Sequence, residues 1–172
     1  MSQSPPSPLS RPVDVGRLPR GRAEITVEAS AEECAALARD FDIPAVRDLV
    51  GRFVLSGSLS RLTVTGTVEA VATQVCTVTL EPFEARLREP VEVVFSDAPP
   101  PEEDEEGTPE NAPEPPDPIV NGRIDLGALT AEFLALGLDP YPRKPGVDFE
   151  PVASGPESGP FDALRRLRDE EA

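Results

Sequence analysis

The chain has 172 residues, enough for one domain of ordinary size with flexible tails. It carries 32 acidic and 16 basic residues, a formal net charge of -16, with no histidine and only 2 cysteines. Without histidine there is no imidazole base and no Ser-His or Cys-His dyad, and two distant cysteines cannot form a cysteine-rich zinc site. The charge also argues against docking on a phosphate backbone. We therefore expect an acidic protein that is not an enzyme and needs no metal or cofactor.

The N-terminal part predicts a flexible tail, a strand and a helix, in that order. Residues 1–12 contain four prolines and form the predicted tail, and a short β-strand signal follows at residues 25–27. Ser30 with Glu33 three positions later is typical of a capping box, so a helix should run to about Asp40. Its predicted apolar face comprises Cys34, Leu37, Ala38 and Phe41. After Pro44 the sequence favours a turn and a short second helix to Leu49.

From residue 51 to residue 95 the hydrophobic period is two, which predicts antiparallel strands with one buried face. The run from Arg61 to Glu81 is too long for one straight strand. We expect it to bend or break at Gly66 or at residues 70–73, and Pro82 ends it. Residues 85–95 alternate as the returning strand. The sheet could curl into a partial barrel.

An acidic, proline-rich segment separates these strands from the last helices. Residues 97–118 hold 9 acids, 8 prolines and no basic residue. Because the segment has no large apolar side chain to bury, we interpret it as a disordered insert. Asp125 then predicts an N-cap for a helix to about Leu138, with Leu126, Leu129, Phe133 and Leu136 facing the sheet. Residues 159–168 predict a short terminal helix with Phe161, Leu164 and Leu167 on one side.

Two charged segments are candidate partner-binding sites. The acidic run consists of Glu102, Glu103, Asp104, Glu105 and Glu106, and the terminal helix carries Arg165, Arg166 and Arg168 beside Phe161 and Leu164. The acidic run could dock on a basic protein or only keep the chain soluble. The arginines, together with Arg17, Arg20 and Arg22, could touch RNA phosphate or an acidic protein, or only complement a helix dipole. Few aromatic residues are available for stacking on bases, which disfavours a single-strand RNA platform.

The remaining reactive groups are interpreted as structural. Cys34 and Cys76 both fall on apolar faces without a neighbouring base, which is typical of buried thiols. The carboxylate pairs Glu32/Glu33 and Asp169/Glu170 lie where surface acids are expected. The first thirty residues lack the apolar core of a secretory signal, and the longest apolar stretch is far too short for a membrane span. We expect a cytoplasmic protein.

Three motifs, in this order, resemble the bacterial YceD family. The first is the segment 68–83, with the pattern Cys-x-x-Thr-Leu-Glu-Pro, and its key residues are Cys76, Leu80, Glu81 and Pro82. The second is the segment 124–142, and the third is the terminal Pro-Phe-x-x-Leu element at residues 159–167. The Cys-x-x-Thr-Leu-Glu-Pro pattern most resembles the alphaproteobacterial branch. The resemblance covers roughly residues 13–168.

The resemblance implies a role in the synthesis, processing or stability of large-subunit (23S) ribosomal RNA, with no established enzymatic activity or cofactor. Many relatives carry a second cysteine three positions after the first, where this chain has Thr79, so no metal role is expected here.

We predict a single α+β domain over residues 13–149, interrupted by the insert, with a helix before the sheet and one after it. Residues 150–172 form a linker and the terminal helix. The predicted function is ribosome biogenesis through a basic ribosomal or RNA-processing protein, with any contact to rRNA indirect. The alternative is a direct RNA-binding module that uses the terminal arginines.

Overall fold

Three long strands form the centre of an open sheet in the computed structural model of the chain, which describes residues 7–19, 22–98 and 115–147. The elements in chain order are β1 (Pro12–Asp14), β2 (Arg22–Glu28), α1 (Ala31–Asp40), β3 (Ala45–Ser58), β4 (Arg61–Val75), β5 (Pro82–Ser96), β6 (Asp117–Pro118), β7 (Arg123–Asp125) and α2 (Leu126–Gly137), with one 3-10 turn at Val15–Arg17. Within these residues the main sheet has the order β2-β3-β4-β5-β6, and β1 pairs separately with β7. The prediction of a mixed α+β fold is confirmed.

The sheet does not close into the predicted partial barrel. Strands β2 to β5 pair in antiparallel fashion, and β6 adds two residues in parallel to β5. Strands β2 and β6 lie at opposite edges of the sheet order and do not pair with each other, so the sheet stays open. Helix α1 packs on β3, and α2 packs mainly on β5 and β4, whose buried residues are mostly even-numbered in β4. Neither α1 nor α2, the helices of the described residues, is long and apolar enough to span a membrane.

Helix α1 begins and ends where the sequence predicts. The Ser30 hydroxyl accepts a hydrogen bond from the Glu33 N–H at 3.2 Å, and the Glu33 carboxylate accepts one from the Ser30 N–H at 2.8 Å. The predicted capping box is therefore confirmed, and it satisfies two N–H groups at the helix N-terminus. The helix buries Cys34, Leu37 and Ala38 against β3, as expected.

Glu33 has a second structural partner, which makes the stability of the fold depend on pH. The guanidinium of Arg11 donates to both carboxylate oxygens of Glu33, at 2.8 and 3.0 Å. This hydrogen bond, with that from the Ser30 N–H, lowers the pKa of Glu33 from 4.5 to about 2. A lowered pKa stabilises the fold above the unfolded-state pKa, and the contribution is lost as the pH falls through the folded-state value. We therefore expect the free energy of unfolding to decrease between about pH 5 and about pH 2.

Urea unfolding over that pH range tests this expectation. The variant Glu33→Gln keeps the side-chain size but cannot titrate, so its free energy of unfolding should vary less with pH than that of the wild type. Glu32→Gln is the matched control, because Glu32 is exposed and makes no ion pair with another described residue. Equal pH dependence of the wild type and Glu33→Gln would contradict the assignment.

The structure corrects two predictions for the central strands. Residues 45–49 do not form a short helix, because β3 begins at Ala45 and pairs with β4 from its first residue. Strand β4 is not broken at Gly66 or at residues 70–73, and its register with β5 is continuous along its whole length. The irregularity lies in the neighbouring strand instead, between Arg47 and Val50. Asp48, between them, has a φ of 55°, and the bulge places one extra residue in β3. The predicted run 61–81 is instead interrupted at residues 76–81, where the chain turns between β4 and β5, so Pro82 begins a strand rather than ending one.

The N-terminal segment is part of the core. Leu9 is fully buried, and β1 pairs with β7 in the register Pro12↔Asp125. The predicted flexible tail therefore holds ordered residues from Ser7 onward, whereas residues 1–6 lie outside the described part of the chain.

Helix α2 begins at the predicted N-cap, Asp125, whose carboxylate accepts hydrogen bonds from the N–H groups of Gly127 and Ala128. Its buried face differs from the prediction. Leu126 and Leu129 are buried, but Leu134 replaces the predicted Leu136, which is 67% exposed. Phe133 is only half-buried. The helix packs across β4 and β5 and also contacts β1, β2 and β3, and the spacing of leucines along the helix does not reveal which side meets these strands.

The ends of the acidic insert are ordered. The Asp97 N–H donates to the Leu59 carbonyl at 3.0 Å, and Asp117–Pro118 forms β6. The predicted insert 97–118 is thus described at both ends, and its centre, residues 99–114, lies outside the described residues. The predicted terminal helix at residues 159–168 also lies outside them.

Candidate functional site

The four key residues of the first motif meet at one turn. Strand β4 ends at Val75 and β5 begins at Pro82, so Cys76, Leu80 and Glu81 form the connection between the two longest strands. The other candidate residues are the acidic run Glu102–Glu106 and the terminal set Phe161, Leu164, Arg165, Arg166 and Arg168. Both sets lie outside the described residues, and their role remains a prediction.

The β4–β5 turn (residues 76–81) is held by its own backbone. The Cys76 N–H donates to the Glu81 carbonyl, and the Leu80 N–H donates to the Cys76 carbonyl, both at 2.9 Å. The Glu81 N–H reaches the Thr79 hydroxyl at 3.4 Å. Leu80 has a φ of 59°, in the left-handed region. The threonine of the motif therefore supports the turn, and the leucine occupies its unfavourable backbone position.

A second segment, residues 139–144, crosses this turn, and we call it the strap. The Pro142 carbonyl accepts hydrogen bonds from the Thr77 N–H at 2.8 Å and from the Thr77 hydroxyl at 3.3 Å. The buried Gln74 side chain donates to the Asp139 carbonyl at 3.0 Å, and Lys144 Nζ pairs with Glu81 Oε2 at 3.0 Å. The strap is thus held by four contacts, three to the turn and one to Gln74 near the end of β4.

Cys76 is the first residue of the turn. It is fully buried, as predicted, although it follows the end of β4 rather than lying within it. The backbone N–H of Lys144, then the hydroxyl and N–H of Thr79, lower the pKa of the Cys76 thiol from 9.0 to about 6. These donors lie on both the strap and the turn, and they favour the charged form of the sulfur. The sequence did not indicate this, because the donor from residue 144 is distant along the chain. Cys34, in contrast, has a pKa raised by burial.

The turn, the strap and the last residue of β4 expose apolar side chains to solvent. Leu80 is 76% exposed, Tyr141 is 74% exposed and Val75 is 41% exposed. These are three of the five exposed large hydrophobic side chains of the described residues. Because hydrogen bonds join the two segments, the three side chains lie at the same end of the molecule. Exposed apolar groups on a fixed scaffold are typical of protein-binding surfaces.

The described residues offer little for catalysis or metal binding. No group of three or more Cys, Asp or Glu side chains in this part of the chain is arranged to hold a metal ion. Glu33, a member of one candidate carboxylate pair, is engaged by Arg11 and Ser30. A shallow cavity of about 300 Å³ lies between α1 and the start of β3, and its lining is alanine, Ile43, Pro44, Val46 and Arg39. Arg39 is the one charged side chain of this lining, and a guanidinium stays protonated and does not act as a base.

The β4–β5 turn lies in the part of the chain that matches a known protein family. A family model described as large ribosomal RNA subunit accumulation protein YceD matches residues 64–167, more than half of the chain. The chain belongs to the YceD family. The match begins within β4 and includes the β4–β5 turn, α2 and the strap, so the described site lies inside the part of the chain that defines the family. No curated protein and no solved structure matches the chain. Membership in the YceD family links the protein to the accumulation of large-subunit ribosomal RNA.

Proposed function

We propose that this protein is a non-catalytic, cytoplasmic factor that supports the synthesis, processing or stability of large-subunit rRNA by binding a basic ribosomal or RNA-processing protein. Family membership supports the link to rRNA. The observation that supports this mode of action is the exposure of Leu80 on the turn, Tyr141 on the strap and Val75 at the end of β4, since apolar side chains suit a protein surface better than a phosphate backbone. Any contact with rRNA is then indirect.

The charge of the chain supports a basic partner. The formal net charge is -16, and most of this surplus falls in the segments outside the described residues, above all around Glu102–Glu106. An acidic run of this kind steers association with a basic protein and makes the association sensitive to salt. It repels RNA phosphate, so a direct contact with rRNA would have to come from the arginines of the terminal segment.

Depletion of the protein in its source bacterium tests the proposed function. We expect the ratio of mature large-subunit to small-subunit rRNA to fall, and an added wild-type copy to restore it. A variant in which the acidic run is neutralised, with glutamates replaced by Gln and Asp104 by Asn, should restore the ratio only partly, and its association with the basic protein should weaken.

The matched control neutralises five exposed acids that form no ion pair within the described residues: Glu28, Asp40, Asp42, Glu92 and Glu132. This control changes the net charge equally, so it should restore the ratio fully if the acidic run acts as a site. An unchanged ratio after depletion would contradict the proposed function. If instead Arg165→Ala, Arg166→Ala and Arg168→Ala together abolish RNA binding by the purified protein, the direct RNA-binding alternative replaces it.

A further inference from the structure

The shallow cavity between α1 and the start of β3 remains open in the described part of the chain. Its lining consists of four alanines, Ile43, Pro44, Val46 and Arg39. Three of the alanines recur at four- and three-residue steps along one face of α1. Small side chains on a helix face allow another segment to approach closely. At about 300 Å³, the cavity has room for one large apolar side chain.

The described chain ends on the same side of the sheet as this cavity and close to it. Ala45, in the lining, pairs with Thr73 of β4, three residues before the β4–β5 turn, so Ala45 lies about 11 Å from the turn by strand spacing and rise. The strap crosses that turn and is bound by Gln74, which shares the buried face of β4. The last described residue, Val147, follows the strap by three positions. The chain after Val147 therefore starts near the cavity.

The segment after Val147 supplies the side chains that such a cavity accepts. Outside the described residues, the apolar side chains that are larger than alanine and are not proline are Met1, Phe149, Val152, Phe161, Leu164 and Leu167. The last three fall on one side of the predicted terminal helix, which is too short to be stable in water without a surface. Phe161 follows Val147 by 14 residues, and so many extended residues span up to about 46 Å. The terminal segment can thus return to the cavity.

The charges of the cavity and of the terminal segment are complementary. The Arg39 guanidinium donates to the Ala35 carbonyl at 3.3 Å and forms no ion pair with an acid of the described residues. Asp162, directly after Phe161, is the one acid among residues 159–168. Exposed acids adjoin the lining at positions 32, 40 and 42, and arginines follow Asp162 at positions 165, 166 and 168. An aromatic side chain beside an acid therefore matches an apolar cavity with a cation in its wall.

We propose that the cavity between α1 and β3 is the docking site of the chain's own terminal segment, with Phe161 inserted among the alanines and Asp162 paired with Arg39. Leu164 and Leu167 then cover the exposed alanines of α1. Attachment to the same chain keeps the effective concentration of the segment high, so a small contact suffices. The terminal segment is in this arrangement a part of the domain, and its arginines face α1 instead of RNA. The inference does not rest on the proposed function, because its tests need only the purified protein.

A tryptophan reporter tests the docking in the full chain, which has no tryptophan of its own. Phe161→Trp keeps an aromatic ring at the proposed anchor, and Phe149→Trp places the same reporter elsewhere in the same segment. We expect Phe161→Trp to have blue-shifted emission and an acrylamide quenching constant at least about threefold lower than that of Phe149→Trp, because a pocket buries most of its occupant's surface. Equal quenching at the two positions would overturn the docking.

Ala35→Glu in the Phe161→Trp background tests whether the cavity is the site. Ala35 is exposed and glutamate is a good helix former, so we expect a Tm within a few degrees of the parent. The longer, charged side chain occupies the apolar cavity, so the quenching constant should rise to that of Phe149→Trp. Ala135→Glu is the matched control, because Ala135 is exposed on α2 and does not line the cavity, and it should leave the quenching constant low. A reporter that stays protected in Ala35→Glu would mean that the segment packs elsewhere, and the assignment would be wrong.

Arg39→Glu and Asp162→Lys test the ion pair in the same background. Each substitution alone should raise the quenching constant at low salt, because it leaves two like charges facing each other. The two together should lower the constant again, since they restore the pair with reversed polarity. Failure of the double variant to recover would contradict the pairing of Arg39 with Asp162.

Dilution distinguishes docking within one chain from exchange between two copies. A segment docked on its own domain keeps the same quenching constant at every protein concentration, and the protein sediments as a monomer throughout. A quenching constant that rises on dilution, together with a change from dimer to monomer, would show that the segment reaches a second copy and would overturn docking within the chain.

Discussion

Gly66→Ala is expected to destabilise the fold by about 3 kcal/mol, near the upper end of the cost of overpacking a well-ordered interior. Gly66 lies in β4 directly opposite Phe53 in β3. A Cβ atom at position 66 would lie 2.0 Å from the carbonyl oxygen of Arg52 and 3.0 Å from the Cα atom of Phe53. Because both neighbours belong to a backbone, no side-chain rotation can relieve the clash, and the two central strands would have to separate.

Urea unfolding monitored by circular dichroism measures this effect. Gly16→Ala is the control, because a Cβ atom there would meet only the Asp14 carboxylate at 3.4 Å, an ordinary contact, and it should change the free energy of unfolding by less than about 0.5 kcal/mol. An unfolding midpoint for Gly66→Ala equal to that of Gly16→Ala would mean that the strands are farther apart than described.

Asp125→Ala is also expected to cost about 3 kcal/mol, because one carboxylate serves four donors. It caps α2 by accepting from the N–H groups of Gly127 and Ala128, at 2.9 and 3.0 Å. It also accepts from the Arg11 N–H at 2.7 Å and from the Ser10 hydroxyl at 2.5 Å, so it fastens the N-terminal segment to the helix. Burial would raise the pKa of Asp125, but these hydrogen bonds outweigh it and hold the pKa below its ordinary value.

Two further variants separate these contributions. Asp125→Asn keeps an acceptor oxygen and should cost about 1 kcal/mol, since charge-assisted bonds become neutral ones. Ser10→Ala removes one donor and should cost about 1 kcal/mol as well. If Asp125→Ala destabilised the protein no more than Ser10→Ala does, the carboxylate would not be the joint between the N-terminal segment and α2.

Local sequence signals predicted the elements whose causes are local. The capping box of Ser30 and Glu33 and the N-cap Asp125 set the starts of both helices, and each depends on residues within one turn. The alternation of apolar residues likewise identified the buried face of β4. The wrong predictions concern tertiary packing. The bulge at Arg47–Val50 was invisible because it arises from pairing with β4, and Leu136 was assigned to the core because its spacing alone does not reveal where the sheet lies.

The site was only half predictable for the same reason. The motif residues Cys76, Leu80, Glu81 and Pro82 were recognised from their pattern, but their pattern does not reveal the strap. The strap reaches the turn through contacts such as Thr77 to Pro142, which join positions far apart in sequence. The lowered pKa of Cys76 depends on that crossing, because its largest cause is the backbone N–H of Lys144. The positive φ of Leu80 had no local signal, because leucine rarely takes this conformation.

The pairing of β1 with β7 affects the order in which the protein can fold during its synthesis. Pro12 lies opposite Asp125, so more than a hundred residues must be synthesised between the two halves of this small ladder. At the usual pace of translation that interval lasts about 6 to 20 s, during which the hairpins of β2 to β5 can already form. Leu9, fully buried in the finished protein, stays exposed until α2 has emerged. For several seconds, therefore, the nascent chain has an incompletely covered sheet, because its N-terminal residues can pack only after β7 and α2 have been synthesised.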